Sequence, residues 1–320
     1  MKPDLRKILV VGCGAMGGLF AARLSAVAEV VGYDIDSAHV AQINQQGLRV
    51  TGNSDLQARF SAVDDARQLS GQTFDAVLLL TKSGQTGRAV AALSQQLAGE
   101  PLWVTLQNGM GNSEILLEIP GAKVARGVSL DASRYLGPGQ IEHLIRGKMS
   151  WLGPLRGDMA DCTWFAELLT AAGLPTEVIA DPMDAVWSKF VFNCVMNPIG
   201  ALLLGVNAAR YEVAEVRDLI DEMAQECVAV VQALGGRLAF DPMDFVKKVR
   251  SGELPLSKHA GSMALDIARG SATEIDELTG FIVREAARLE LPAPVCRTVY
   301  RLVKGLERAR ALQGRVDPAT

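Results

Sequence analysis

Residues 8–34 read ILVVGCGAMGGLFAARLSAVAEVVGYD. Four apolar residues, 8–11, run directly into Gly12-Cys13-Gly14-Ala15-Met16-Gly17, and a helical pattern follows to about Ser25. A second apolar run covers 29–33 and ends on an acid, Asp34. This is strand, glycine turn, helix, strand, acid, the context in which a G-x-G-x-x-G match points to dinucleotide binding. Each glycine has a physical reason to be there. Gly12 allows the tight turn, Gly14 lets backbone approach a pyrophosphate, and Gly17 lets helix and strand pack closely. The helix then offers its free N–H groups and positive dipole end to the phosphates. The bland alternative is a generic glycine turn, and the acid at the right distance argues against it.

Asp34 lies twenty-two residues after Gly12. A carboxylate there accepts hydrogen bonds from adenosine ribose hydroxyls and repels the 2′-phosphate of NADP. The residues after it are Ile35, Asp36 and Ser37, with no arginine among them, which favours NAD over NADP. Asp36 or Ser37 can cap the helix that runs to about Gln46.

The alternation continues outward. Strands are expected at 76–81 (AVLLLT), 102–106, 124–128 and 176–179, with helices at about 85–97 and 161–172. The Gly- and Pro-rich stretch 131–152 is expected to hold short antiparallel strands. Ligands of open α/β sheets bind outside the carboxyl ends of the strands. That rule adds Lys82, Asn108 in the run Gln107-Asn108-Gly109-Met110-Gly111, and the loop 129–133 with Ser133 to the cofactor candidates. Lys82 equally fits an ordinary solvated lysine.

After Asp181-Pro182 the periodicity is helical throughout. Helices are expected at about 187–204, 213–234, 242–249, 273–289 and 293–312, with 251–262 loop-like and a polar, frayed tail from Gln313. The fold class is therefore an α/β Rossmann-type domain with a mainly parallel sheet, residues 1–180, followed by an all-α domain, residues 181–320. The first of these helices, WSKFVFNCVMNPIGALLL, is apolar except for Lys189, Asn193 and Asn197 at four-residue spacing, which places them along one slowly drifting face. Lysine, two asparagines and Pro198 in its middle argue against a bilayer span. Pro198 is expected to kink the helix or start a new segment.

Composition narrows the classes. The chain has 320 residues, 49% hydrophobic and 21% charged, with net charge −4 and no wide basic cluster, so nucleic acid is not an expected partner. The five cysteines show neither a CxxC pair nor metal-ligand spacing and read as reduced thiols of a cytoplasmic protein. No metal is expected. The opening residues lack a signal-peptide pattern. Apolar helices in the second half could pair two subunits into a homodimer or belong to the core.

A dinucleotide domain followed by a helical domain fits a dehydrogenase with its cleft between them. Reducing a ketone with NADH needs a proton for the developing alkoxide, and a buried lysine suits that role because desolvation lowers its pKa toward neutrality. Lys189 is the best candidate, the alternative being a lysine that snorkels to solvent. His39 lies in a surface-like helix, His143 in a strand-like segment and His259 in a loop. Cys13 reads as a small filler in the glycine turn rather than a nucleophile.

Four motifs in order carry a family resemblance over nearly the whole chain. GCGAMGG, QNGMGN around Asn108, WSKFVFNCVMNPIGAL around Lys189, and SMALDIARGSATEID with Ser262, Asp266 and Glu274 resemble those of the ketopantoate reductase (2-dehydropantoate 2-reductase) family. The resemblance implies that Lys189 is the general acid that protonates the substrate carbonyl. It implies that Asn193, Asn197 and Asn207 bind the substrate's hydroxyl or carboxylate and that Ser262 holds the carboxylate. Glu274 would orient the substrate or the nicotinamide end, Asn108 would tether Lys189 or contact the cofactor, and Lys82 would touch the cofactor. In the family these residues meet when the two domains close.

Two departures stand out. Family members that use NADPH carry an arginine just after the second strand, where this chain has Asp34-Ile35. The loop before Ser262 reads Lys258-His259-Ala260-Gly261, where some members carry Asn and Ser. Both leave room for a relative that acts on another branched or aromatic 2-keto or 2-hydroxy acid. A non-catalytic NAD(H)-binding sensor is the reading from a different class, and retention of both Lys189 and Glu274 argues against it.

Overall fold

The computed structural model describes residues 5–147, 149–256 and 261–313. The chain divides into two compact units, Met1–Pro182 and Met183–Thr320.

In the first unit the strands are β1 (Lys7–Val11), β2 (Glu29–Tyr33), β3 (Leu48–Gly52), β4 (Leu56–Ala58), β5 (Ser61–Val63), β6 (Ala76–Leu79), β7 (Leu102–Thr105), β8 (Lys123–Ser129), β9 (Ala132–Gly137), β10 (Gln140–Ile145), β11 (Ser150–Arg156) and β12 (Thr176–Val178). Its helices are α1 (Ala15–Leu24), α2 (Ser37–Gln46), α3 (Thr86–Ser94), α4 (Asn112–Leu117) and α5 (Met159–Ala171). Eight strands form one sheet in the order β12-β11-β8-β7-β6-β1-β2-β5. Every neighbouring pair is parallel except β8 with β11.

Both faces of this sheet are covered, which is why its strands read as unbroken apolar runs. Successive side chains of β1 point to opposite faces. Ile8 and Val10 pack with Phe20 and Leu24 of α1 and with Phe165 and Leu169 of α5. Leu9 and Val11 pack with Val90 and Leu93 of α3 and with Leu116 of α4.

A second sheet, β4-β3-β10-β9, was not expected in this form. Residues 48–58 carried no strand expectation, and the short strands after residue 131 divide between the two sheets. β9 and β10 pair antiparallel, β10 runs parallel to β3, and β11 returns to the main sheet. This sheet packs Leu48, Val50 and Ile141 against Leu19, Ala22, Val40 and Ile43. Helix α1 is thus apolar on two sides because it lies between two sheets.

The second unit holds α6 (Pro182–Leu202), α7 (Ala209–Glu212), α8 (Ala214–Ala233), α9 (Asp244–Arg250), α10 (Ser262–Arg269), α11 (Thr279–Arg288) and α12 (Pro294–Gln313). Three corrections apply: α7 and α10 were not expected, and α11 begins six residues later than the helix expected from Thr273. Lys258 and His259, and the tail beyond Gln313, lie outside the described residues. Among the described residues no helix is long and apolar enough to cross a membrane.

Helix α6 passes through Pro198 without ending. A proline removes the N–H that would bond the carbonyl four residues back, here that of Cys194. The Thr279 hydroxyl, fully buried at the start of α11, donates to the Cys194 carbonyl at 2.8 Å instead. The tertiary bond replaces the lost helical one. Glu226 of α8 plays a similar part for α12, accepting the first-turn N–H groups of Val295 and Cys296 at 2.9 and 2.8 Å.

Candidate functional site

In the first unit, the turn from Gly12 to Gly17, Asp34, Lys82 and Asn108 follow the carboxyl ends of β1, β2, β6 and β7 in turn, while Ser133, expected in a loop, is the second residue of β9 in the other sheet. Gly12 has φ +84°, and a Cβ there would come within 2.8 Å of the Thr81 nitrogen. A Cβ on Gly17 would stand 1.6 Å from the Gly12 carbonyl oxygen, so no other residue fits without moving the turn. Above Gly14, by contrast, a Cβ would meet nothing within 4 Å. That open space lies at the N-terminus of α1, where Gly14 gives no side-chain cap and the first-turn N–H groups stay available. The turn therefore fits a pyrophosphate.

The Asp34 carboxylate accepts the Cys13 N–H at 2.6 Å and the Asp36 N–H at 3.0 Å. A carboxylate offers about four lone-pair sites, so capacity remains for ribose hydroxyls. Asp36 is the cap of α2, accepting the His39 N–H at 3.1 Å. Acid crowds this corner. Burial, then the carboxylates of Asp65, Asp34 and Asp64, push the Tyr33 phenol above its ordinary value. The Arg67 guanidinium is engaged by Asp65, with bonds of 2.5 and 2.8 Å.

His39 is not a surface residue, contrary to the sequence expectation; it is 1% exposed. The second sheet covers it. The Gly139 N–H donates to its Nδ1 at 2.9 Å, which leaves Nε2 as the donor to the Cys13 carbonyl at 2.8 Å. His39 thereby ties the glycine turn to the second sheet. Ser133 Oγ lies 3.2 Å from Met16 Sδ, which brings Ser133 to the same turn. Burial, then the Asp34 carboxylate, push the Cys13 thiol far above its usual value, so it stays protonated and unreactive.

The loops after β6 and β7 are knitted by buried amides. Gln107 donates to the Thr81 carbonyl and the Thr86 hydroxyl, both at 2.8 Å, and accepts from the Thr105 hydroxyl at 2.8 Å. Asn112 takes the Thr86 hydroxyl at 2.8 Å and donates to Ser83 Oγ and to the Asn108 carbonyl at 3.1 and 3.0 Å. Lys82 is exposed in the loop after β6, and Asn108 is half-buried within the network. Below it lies Arg126 of β8, 1% exposed. It donates to the Gly109 carbonyl at 2.7 Å and, at 3.4 Å, to Thr105. Burial lowers it to about 10, opposed by Glu114, so the guanidinium is cationic at neutral pH.

In the second unit, α6 carries Lys189, half-buried, Asn193, 6% exposed, and Asn197, half-buried. Two side chains bond backbone carbonyls beside this stripe. Thr279 holds the Cys194 carbonyl, next to Asn193, and stands five residues after Glu274. Arg210, 5% exposed, donates to the Met196 carbonyl at 3.2 Å, next to Asn197. A Cβ on Gly261 would lie 3.6 Å from the same guanidinium, beside Ser262 at the start of α10. Asn207, 8% exposed, accepts the Arg210 N–H through its carbonyl at 3.1 Å. Thr279, Arg210, Gln107, Asn112 and Arg126 are not evident from the sequence. A buried arginine beside an apolar run was the one available signal, since arginine is seldom buried without a partner. Among the described residues no group of His, Cys, Asp and Glu is arranged to hold a metal ion.

The sequence model described as Ketopantoate reductase PanE/ApbA matches residues 8–157, and that for Ketopantoate reductase PanE/ApbA C terminal matches residues 181–307. The chain is 30% identical over 315 residues to the 2-dehydropantoate 2-reductase of Pyrococcus abyssi (strain GE5 / Orsay), covering 97% of this chain and 99% of that protein. A PanE/ApbA family ketopantoate reductase of known structure from Ralstonia eutropha JMP134 is 30% identical, with TM-score 0.83 over 95% of this chain and 99% of that one. The structure of D-mandelate dehydrogenase with NADH and anilino(oxo)acetate aligns over 95% of this chain and 99% of that one, with TM-score 0.84 at 24% identity, a likeness of fold.

Proposed function

Because the chain belongs to the ketopantoate reductase family, we propose that it reduces a small 2-keto acid, 2-dehydropantoate to pantoate before others, with Lys189 as general acid. A nicotinamide cofactor bound at the carboxyl edge of the first unit would supply a hydride to the keto carbon. As the carbonyl oxygen becomes an alkoxide, the Lys189 ammonium gives it a proton and is recharged from solvent. Asn193, Asn197 and Asn207 grip the hydroxyl and carboxylate, Ser262 adds a hydroxyl donor, and Glu274 orients the substrate or the nicotinamide end. Gly12, Cys13, Gly14, Ala15, Met16 and Gly17 supply the pyrophosphate turn, with Lys82 and Asn108 on the same edge and Ser133 beside Met16.

The observation that carries this function is the polar stripe of α6, beside which the Cys194 carbonyl is bonded by Thr279 at the start of α11 and the Met196 carbonyl by Arg210, whose guanidinium lies close to Gly261 before α10. NAD is the preferred dinucleotide: the carboxylates of Asp34, Asp64 and Asp65 around the end of β2 disfavour a 2′-phosphate. The departure of the loop before Ser262 supports a second choice of substrate, another branched or aromatic 2-keto acid. The test is Lys189→Ala: kcat falls at least ~100-fold, the usual scale for a lost general acid, while NADH binding is kept. A variant with near-normal turnover removes Lys189 from the mechanism.

A further inference from the structure

We propose that Arg126 is a positioning residue of the cofactor half-site, holding the Gly109 carbonyl inward so that the backbone N–H groups of the Asn108-Gly109-Met110 loop are presented to the bound nicotinamide dinucleotide. The inference rests on the assignment of that loop to the cofactor. In a trans peptide the carbonyl and the next N–H point in opposite directions. The Gly109 carbonyl accepts from Arg126 Nη2 at 2.7 Å, which fixes the direction of the Met110 N–H. The Asn108 carbonyl accepts from Ser83 Oγ at 3.1 Å and from Asn112 Nδ2 at 3.0 Å, which fixes that of the Gly109 N–H. Among the described residues neither N–H donates a hydrogen bond. Gly109 has φ +78° and Gly111 φ +93°, so this backbone shape is one that glycine permits. Successive N–H groups turned the same way form a concavity that receives oxygen acceptors.

Arg126 itself points to the same use. It is 1% exposed, its Nε has no partner among the described residues, and Glu114 is the carboxylate whose charge acts on it. A buried guanidinium without a bonded carboxylate carries a desolvation cost, offset here by its bonds to Gly109 and Thr105. A neutral donor would hold the Gly109 carbonyl at a smaller desolvation cost, so the charge under this loop points to a use beyond folding. Dinucleotide affinity and the KM for the keto acid are expected to move apart when it is removed, which a general loosening of the structure would not produce.

The experiment is Arg126→Met, with NADH and NADPH binding followed by nicotinamide fluorescence, KM for each substrate, and thermal melting. The expected result is a protein that stays folded at the assay temperature with a Tm lowered by the orphaned Gly109 carbonyl, an unchanged KM for the keto acid, and binding of the preferred dinucleotide weakened at least about tenfold, the scale of a lost hydrogen bond to a charged group. Unchanged dinucleotide affinity, or a loss matched by an equal rise in the KM for the keto acid, overturns the proposal. Should Arg126→Met fail to fold, Arg126→Gln keeps one amide donor without the charge and is read by the same titration. Dinucleotide binding at least about threefold weaker then upholds the proposal, and unchanged binding overturns it. Wild-type protein that binds neither dinucleotide would overturn the cofactor assignment, and the proposal with it, before any variant is read.

Discussion

Asp34 does two jobs that a pair of substitutions separates. Its carboxylate accepts the N–H of Cys13, a fully buried residue, and that of Asp36. Asp34→Ala removes both acceptors and leaves the Cys13 N–H unsatisfied, at a cost of about 1–3 kcal/mol. Asp34→Asn keeps one acceptor oxygen and turns an amide donor toward the other N–H, at a cost of about 1 kcal/mol. Melting temperatures should thus fall in the order wild type, Asp34→Asn, Asp34→Ala, by about 2–4 °C for each kcal/mol in a domain of this size. Cofactor choice follows the charge instead. A 2′-phosphate carries about −1.5 to −2 charges. At roughly 5 Å from a carboxylate the repulsion is about 1.5 kcal/mol in the dielectric of water and about twice that at half the dielectric. Both variants should therefore raise the ratio of kcat/KM for NADPH over NADH by roughly 10- to 100-fold, since each 1.4 kcal/mol is tenfold. The assay is steady-state oxidation of each dinucleotide at saturating keto acid, beside thermal melts. If the melts fall as expected while the ratio moves less than about threefold, Asp34 only braces the glycine turn, and the NAD assignment loses its support.

Other outcomes are equally open to measurement. Thr279→Val should lower stability by about 1–3 kcal/mol by orphaning the Cys194 carbonyl, and adding Pro198→Ala, which restores the helical donor, should recover most of it; additive losses in that double-mutant cycle would refute the compensation. Glu226→Ala should cost about 1–2 kcal/mol through the uncapped first turn of α12, read in a urea melt. Burial opposes ionisation of Glu307, but bonds from Thr273 and Lys304 prevail and hold its carboxyl below the usual value. A depressed carboxyl contributes stability above its unfolded pKa, about 4.3, and loses it as pH falls through the folded value. The Tm gap between wild type and Glu307→Gln should be full at pH 7 and close below about pH 4, and a gap independent of pH would contradict this.

The main sheet was legible because parallel strands buried on both faces leave continuous apolar runs, and the second strand was read to the residue, Glu29–Tyr33. The second sheet was not, because β3 pairs with β10 across some ninety residues, Thr51 with Glu142 for example, and each strand is short. That miss caused the error at His39: a helix with one polar-looking face reads as exposed until the sheet covering it is known. Helix α10 did show apolar positions at Met263, Ala264 and Ile267, but it is short and starts at a serine read as loop. Pro198 followed the local rule only until Thr279, eighty-one residues on, supplied the missing donor. Residue types exposed the polar stripe of α6. Its anchors, Arg210 and Thr279, depend on tertiary contacts that spacing does not encode.

Reduction of a 2-keto acid by this chain is tested most directly by a steady-state assay of the purified protein, NADH and NADPH each offered with 2-dehydropantoate and a panel of branched and aromatic 2-keto acids. Oxidation of the dinucleotide should depend on a 2-keto acid, run faster with NADH than with NADPH, and fall at least ~100-fold in Lys189→Ala. Binding of a dinucleotide with no turnover of any 2-keto acid would contradict the reductase assignment.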